Sequence, residues 1–168
     1  VYSSILPETF DDRMKIRIVD PMEIFAAKGN ALITRAAARD LYDWCNMLSE
    51  GLFEEQRDLF RKCFLFYMAI SADTLNKSFD TSAIDTLDFN KIRRDLFPVL
   101  NKKDNFQLDE RKKIAKNYIS DLMVLTTKEK EYLDRFEEKK YMPELLFEDV
   151  EIVERVKNHP MALWKCKE

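Results

Sequence analysis

Five charged side chains stand in a run that is otherwise mostly apolar: Lys28, Arg35, Arg39, Asp40 and Asp43, within Asp20 to Asp43, DPMEIFAAKGNALITRAAARDLYD. Charges held beside a core are costly unless they pair, bind a ligand or take part in chemistry. Lys28 lies seven residues before Arg35, which in a continuous helix puts both on one face. Asp40 and Asp43, three apart, also share a face, and Arg39 stands four before Asp43, at the spacing of a helical ion pair. Two readings fit this pattern. In one, these are the salt bridges of a helical hairpin. In the other, a cation stands where a polyphosphate could be met, and a carboxylate orients that cation, a metal or a nucleophile.

The elements that must position these groups follow from the flanking pattern. Met14 to Val19 alternates apolar with Lys and Arg, the period-two signature of a half-buried strand. Asp20-Pro-Met-Glu then opens a helix, with Asp20 as cap, Pro21 in the first turn and Glu23 placed to close a capping box. Ile24, Phe25, Ala27, Ala31 and Leu32 are its expected apolar face. A corner near Thr34 to Ala36 leads into a second helix, Ala36 to Leu48, with Leu41, Trp44, Cys45 and Leu48 inward. A third helix is expected over Glu54 to Ser71. Its tail, CFLFYMAI, is apolar all round and should be the most buried element.

Asp73 to Leu87 reads as a loop with one short turn, and Asp88 to Phe97 as a short helix ended by Pro98. Asp109 to Leu125 is a longer helix with Ile114, Tyr118, Ile119, Leu122 and Met123 on one face. Thr126 and Glu129 form a capping-box signature for a helix reaching about Lys140. Asp149 to Asn158 is the last clear helix before His159-Pro160 and an amphipathic tail. There is no internal repeat and no low-complexity tract.

Composition narrows the classes. The chain has 168 residues, 46% apolar and 35% charged, which is the balance of a folded globular chain. Its two glycines, Gly29 and Gly51, argue against sandwiches, barrels and Gly-rich phosphate loops and favour helices. The formal net charge of −3 carries no general attraction for nucleic acid, so an anionic ligand must meet a local basic cluster. Cys45, Cys63 and Cys166 are widely spaced with no CxxC, which indicates neither a zinc site nor a disulfide framework and suits a cytoplasmic protein. No signal peptide or membrane-spanning run is visible, the longest apolar stretch being Cys63 to Ile70. The chain starts at Val1 rather than Met, and is read as a fragment.

Other charged groups have plainer readings. Lys91, Arg93, Arg94, Lys102 and Lys103 bracket a Phe-Pro segment and could touch a nucleic-acid backbone. Like Arg111-Lys112-Lys113, they read first as a solvated face. Asp149 and Glu151 resemble a metal-binding pair but sit at a helix start, where acids are favoured by the dipole. His159, the single His, reads as a helix-end residue.

At DPMEIFAAKGNALITRAAARDLYD the chain resembles the abortive-infection nucleotidyltransferase toxins of the AbiEii/AbiGii type. That family shows a short strand, an acidic-apolar-Ala-x-Lys helix, an Ala-Leu-x-x-Arg step and Arg-Asp-Leu-Tyr-Asp. Here these are Glu23 to Lys28, Ala31 to Arg35 and Arg39 to Asp43. The closing HPMALWK, His159 to Lys165, also resembles the end of members of that family. The resemblance implies a mainly α chain: the helical C-terminal domain of a polymerase-beta-like nucleotidyltransferase with a short N-terminal strand remnant. Residues 1–50 would be the end of the nucleotidyltransferase core, and residues 51–168 the helical C-terminal domain.

It further implies a toxin of a bacterial toxin–antitoxin or abortive-infection system. Such a toxin transfers a nucleotide from an NTP to an acceptor, tRNA ends being acceptors of some members, and answers to a cognate antitoxin. Lys28 matches the family's active-site Lys, which would contact the NTP phosphates. Asp40 and Asp43 match its Asp pair, one of them the active-site acid. Arg35 and Arg39 match supporting, substrate-binding positions. The family's Mg²⁺ is held by an Asp-x-Asp that follows a Gly-Ser. Neither occurs in this sequence, so both are expected to precede Val1, and this chain alone is expected to be inactive and to hold no metal. The rival reading is a non-catalytic helical module that binds protein or RNA. A third is a degenerate paralogue without activity.

Overall fold

The computed structural model describes residues 19–71, 75–100 and 106–167. Within them nine α-helices follow one another: α1 (Pro21–Thr34), α2 (Ala38–Ser49), α3 (Arg57–Ser71), α4 (Ser82–Asp85), α5 (Phe89–Asp95), α6 (Leu108–Leu122), α7 (Thr127–Glu137), α8 (Val150–Val156) and α9 (Pro160–Lys165). Short 3₁₀ turns cover Glu54–Gln56, Phe97–Val99 and Pro143–Leu145. No strand occurs among the described residues. The strand expected over Met14 to Val19 lies outside them except for Val19, which is irregular.

Local chemistry sets the helix starts. Asp20 caps α1 by accepting from the Met22 amide at 2.8 Å, with Pro21 in the first turn. Thr126 and Glu129 form the expected reciprocal capping box at the start of α7. Asp149 accepts from the Glu151 and Ile152 amides and so caps α8. Both bonds go to Asp149 Oδ1, the helix-start role that the sequence position of this acid suggests.

Two apolar clusters make the core. The first gathers α1, α2, the start of α3, α4, α5 and α6 around Trp44, Phe60 and Phe64. The second joins the end of α3 to α7, α8 and α9 around Phe66, Tyr132 and Phe136. Helix α3 is common to both, and Phe64, Leu65, Phe66, Met68, Ala69 and Ile70 in its apolar tail are all buried. The division expected between residues 50 and 51 falls inside the first cluster.

Two helix faces differ from expectation. On α1 the buried residues are Met22, Ala26, Gly29, Asn30, Leu32 and Ile33, whereas Ile24, Ala27 and Ala31 line a surface groove. Large apolar residues (Met22, Ile24, Phe25, Leu32, Ile33) and small ones are spread around this helix, so its buried face is poorly marked. On α6 the buried residues are Ala115, Ile119 and Leu122, with Ile114 on the outside.

Gly29 decides how closely α1 can lie on its neighbours. A Cβ there would stand 2.6 Å from Phe64 Cε2 and closer still to the Trp44 ring. Only a residue without a side chain fits at such a crossing. Across the second cluster, Arg61 on α3 donates from Nε to Glu129 Oε1 at 2.9 Å, and Glu129 is 1% exposed. The other Glu129 oxygen accepts from the Thr126 amide, so this carboxylate caps α7 and ties it to α3.

Candidate functional site

The chain turns sharply between α1 and α2. The Arg35 and Ala36 amides both donate to the Ala31 carbonyl, and Ala36 adopts φ +48°, in the left-handed region that alanine seldom visits. The Ala36 methyl is buried, so packing holds this backbone in place. No glycine or asparagine announces the turn, which is why the sequence marks the corner only faintly. The corner brings the start of α2 back beside the second half of α1.

Lys28 on α1 then faces the acids of α2. Its Nζ lies 2.5 Å from Asp43 Oδ2 and 3.9 Å from Asp40 Oδ1. Arg35, at the end of α1, places Nη2 at 3.4 Å from Asp40 Oδ2. Asp40 is 6% exposed, and each of its oxygens faces a cation, Oδ1 Lys28 and Oδ2 Arg35. Burial of an ion is tolerated when such partners are present. Asp43 and Lys28 each keep about a third of their side chain in solvent, and most of the Arg35 side chain is exposed.

Beside these groups runs an open groove of about 430 Å³ along α1, lined by Ile24, Ala27, Lys28, Ala31, Arg35 and Asp40 among others. Two positive and two negative groups thus form a compact cluster at the edge of a groove, with one guanidinium reaching into water. Such a cluster can accept an anion at its exposed cations while its buried acid keeps them in place.

The fifth residue of the set goes elsewhere. Arg39 donates from Nε to the Asp95 carbonyl at 3.0 Å, at the last residue of α5. The Arg39–Asp43 pair suggested by helix spacing is therefore not what the structure shows: the Arg39 side chain reaches a helix end, and Asp43 is taken by Lys28. Other basic residues are similarly occupied. Lys91 donates to the Thr86 carbonyl, Arg94 makes two bonds to Asp95, and Lys116 binds Asp85. Lys102 and Lys103 lie outside the described residues.

Glu23 corrects another expectation. It closes no capping box on α1. Its Oε2 instead accepts from the Tyr67 hydroxyl at 2.7 Å, and its Oε1 lies 3.5 Å from Arg155 Nη2. Burial raises the Tyr67 phenol above its ordinary value and the bond to Glu23 adds to this, so Tyr67 remains a donor. Glu23 and Tyr67 line the groove of Lys28 and also a second cavity of about 250 Å³ on their other side.

That cavity is walled by Phe66, Cys63 and Phe147 among others, with His159 at the start of α9. Sequence reasoning missed it. Its only advance signal is Tyr67, the one side chain with a hydroxyl in the CFLFYMAI run. Burial, with the Glu23 and Asp20 charges adding, pushes the Cys63 thiol up to about 12.

None of the described helices is long and apolar enough to cross a membrane. No group of three His, Cys, Asp or Glu that could hold a metal occurs among the described residues. No curated protein and no solved structure gives a match to the chain. The family described as Nucleotidyl transferase AbiEii toxin, Type IV TA system, matches residues 2–139, and the chain belongs to it. The match contains Lys28, Arg35, Arg39, Asp40 and Asp43 and stops before α8, so the closing HPMALWK lies beyond it.

Proposed function

We propose that, in this AbiEii-type toxin, Lys28 and Arg35 meet the triphosphate of an NTP in the groove along α1, in a centre that transfers a nucleotide to an acceptor. The observation that carries the reading is the Lys28 ammonium held between two carboxylates of the next helix at the edge of an open groove, with Arg35 exposed beside it. Asp40, the buried acid, positions both cations. Asp43, the exposed acid, is the one that yields Lys28 to a phosphate oxygen. Charge placed in advance where it builds up during transfer is the main protein contribution to phosphoryl-type chemistry.

Magnesium does not fit the acids of this cluster. Both carboxylates already face cations. The metal ligands of the reaction are expected from a Gly-Ser and Asp-x-Asp segment, which this sequence does not contain. The helical remainder of the chain would dock the acceptor, with a tRNA end as the expected class. A cognate antitoxin would restrain the activity, and the cytoplasm, where NTPs are, is the expected place of action.

Growth of cells expressing the natural gene product tests the reading. Lys28→Ala should abolish toxicity at equal protein level, and Arg35→Ala should weaken it. A Lys28→Ala protein as toxic as the wild type would overturn the assignment.

A further inference from the structure

Tyr67 on α3 grips α1 at two places. Its hydroxyl donates to Glu23 Oε2 at 2.7 Å, and its main-chain carbonyl accepts from Asn30 Nδ2 at 3.3 Å. Glu23 and Asn30 stand seven residues apart in sequence, so both lie on the face of α1 turned to α3, roughly 10 Å apart along the axis. Lys28 falls between them, on the flank turned to α2. Asn30 is 5% exposed, and a buried amide is costly without a partner, so its bond to Tyr67 is not readily given up to water. Arg155 reaches the Glu23 carboxylate from α8, across the cavity behind it, with Nη2 3.5 Å from Oε1.

The groove beside Lys28 is lined by Tyr67 from α3, by Asp40 from α2, and by Ile24, Ala27 and Ala31 from α1. Helix α1 is therefore held on one flank by Tyr67 and on the other by the carboxylates that face Lys28. Gly29 sets how near α1 lies to Trp44 and Phe64. The apolar residues spread around the helix favour no single turn about its axis, and the polar bonds on the two flanks supply that choice. A turn of about 25° moves a Cα, about 2.3 Å from the axis, by about 1 Å, and moves the end of a lysine farther. A misplacement of about 1 Å at a reacting centre can cost on the order of 100-fold in rate.

We propose that Tyr67 is a positioning residue for nucleotide transfer: its bonds to Glu23 and Asn30 set the turn of α1 about its axis and so place the Lys28 ammonium. This role rests on the triphosphate reading for what Lys28 does there. Tyr67 acts through the helix that carries Lys28, since its hydroxyl is already given to Glu23.

Steady-state transfer by the natural gene product, with the NTP concentration varied, tests this role. Tyr67→Phe keeps the ring and the main-chain carbonyl and loses only the hydroxyl. It should lower kcat per folded protein about ten-fold at nearly unchanged KM for NTP, because a displaced Lys28 is felt mainly in the transition state. Glu23→Ala should match it. Glu23→Gln, whose amide oxygen still accepts from the hydroxyl, should keep most of the rate. In a Lys28→Ala background Tyr67→Phe should cause no further loss, because the two residues act in series. A merely structural Tyr67 would instead lower the folded fraction in both backgrounds and leave kcat per folded protein in place.

Tyr67→Phe with the wild-type kcat, beside an impaired Lys28→Ala, would overturn the role of Tyr67 and keep the triphosphate reading. An equal loss from Tyr67→Phe with and without Lys28 would overturn it too. Lys28→Ala at the wild-type rate would sink the triphosphate reading itself, and the role of Tyr67 in transfer with it. The placement of Lys28 is read separately, from its side-chain NMR signals, assigned by their loss in Lys28→Ala. They should move in Tyr67→Phe and Glu23→Ala and move least in Glu23→Gln. Lys28 signals unmoved by Tyr67→Phe would overturn the positioning whatever the rates.

Discussion

Replacing Gly29 with alanine should destabilise this protein, although the same change in an open helix stabilises. In a helix interior alanine is favoured over glycine by about 1 kcal/mol. At Gly29 the added methyl would overlap the Trp44 ring and stand 2.6 Å from Phe64, and both rings are fully buried. Neither ring can yield without disturbing the first apolar cluster, where Trp44 also contacts Phe60 and Tyr118. Overpacking of this kind costs on the order of 3 kcal/mol or more when two rigid groups must move. Less the helix gain, the expected net loss is about 2 kcal/mol, or roughly 4–8 °C in Tm for a chain of this size. Ala27, on the same helix but facing the groove, is the control: Ala27→Gly should lose only about 1 kcal/mol. Urea unfolding of both variants reads the difference. A Gly29→Ala protein as stable as the wild type would refute the close crossing of α1 over α2 and α3, and with it the placement of Lys28.

Further outcomes are expected of other groups. Arg61→Ala leaves Glu129 buried and without its guanidinium, and should cost about 3 kcal/mol by chemical denaturation. Stability should fall as pH rises above about 9, read by unfolding at stepped pH. The folded chain keeps the Cys63 thiol protonated to about 12, and burial raises the Tyr67, Tyr132 and Tyr141 phenols above 10.0, whereas the unfolded chain ionises all four earlier. Below the ordinary thiol value of 9.0 these groups are protonated in both states and contribute no slope. Asp149→Ala removes the cap of α8 and should cost about 1 kcal/mol. It should also loosen the cavity that Arg155 closes, seen as faster exchange of α8 amides.

The helices were legible where local chemistry speaks. Asp20 and Pro21 opened α1, Thr126 and Glu129 boxed α7, and the apolar tail of α3 announced its burial. Faces were less legible where apolar residues encircle the helix: on α1 they do, so the sequence does not say that Gly29 and Asn30 face inward while Ile24 faces out. The Lys28–Asp40–Asp43 grouping could be suspected from spacing, but the turn that creates it depends on a left-handed Ala36, a residue type that gives no sign of it. Arg39 shows the converse, since sequence spacing paired it with Asp43 while a helix end 56 residues away takes it. Glu23 was expected to close a capping box on its own helix, and a tertiary partner, Tyr67, takes it instead. The second cavity joins α1, α3, α8 and α9, and no local pattern spans such distances.

The role of Lys28 as the phosphate-binding cation is tested most directly by the rate of nucleotide transfer. The natural gene product and its Lys28→Ala variant are given labelled NTP, Mg²⁺ and tRNA, and labelled RNA is followed with time. Lys28 and Asp43 are both partly exposed, so losing their pair should cost only about 0–1 kcal/mol of stability, and Arg35 remains against the buried Asp40 to keep the fold intact. Losing a cation that acts on the transferring phosphates should cost on the order of 100-fold or more in rate. The account predicts a folded Lys28→Ala protein with that loss. A folded Lys28→Ala protein that labels RNA at the wild-type rate would contradict it.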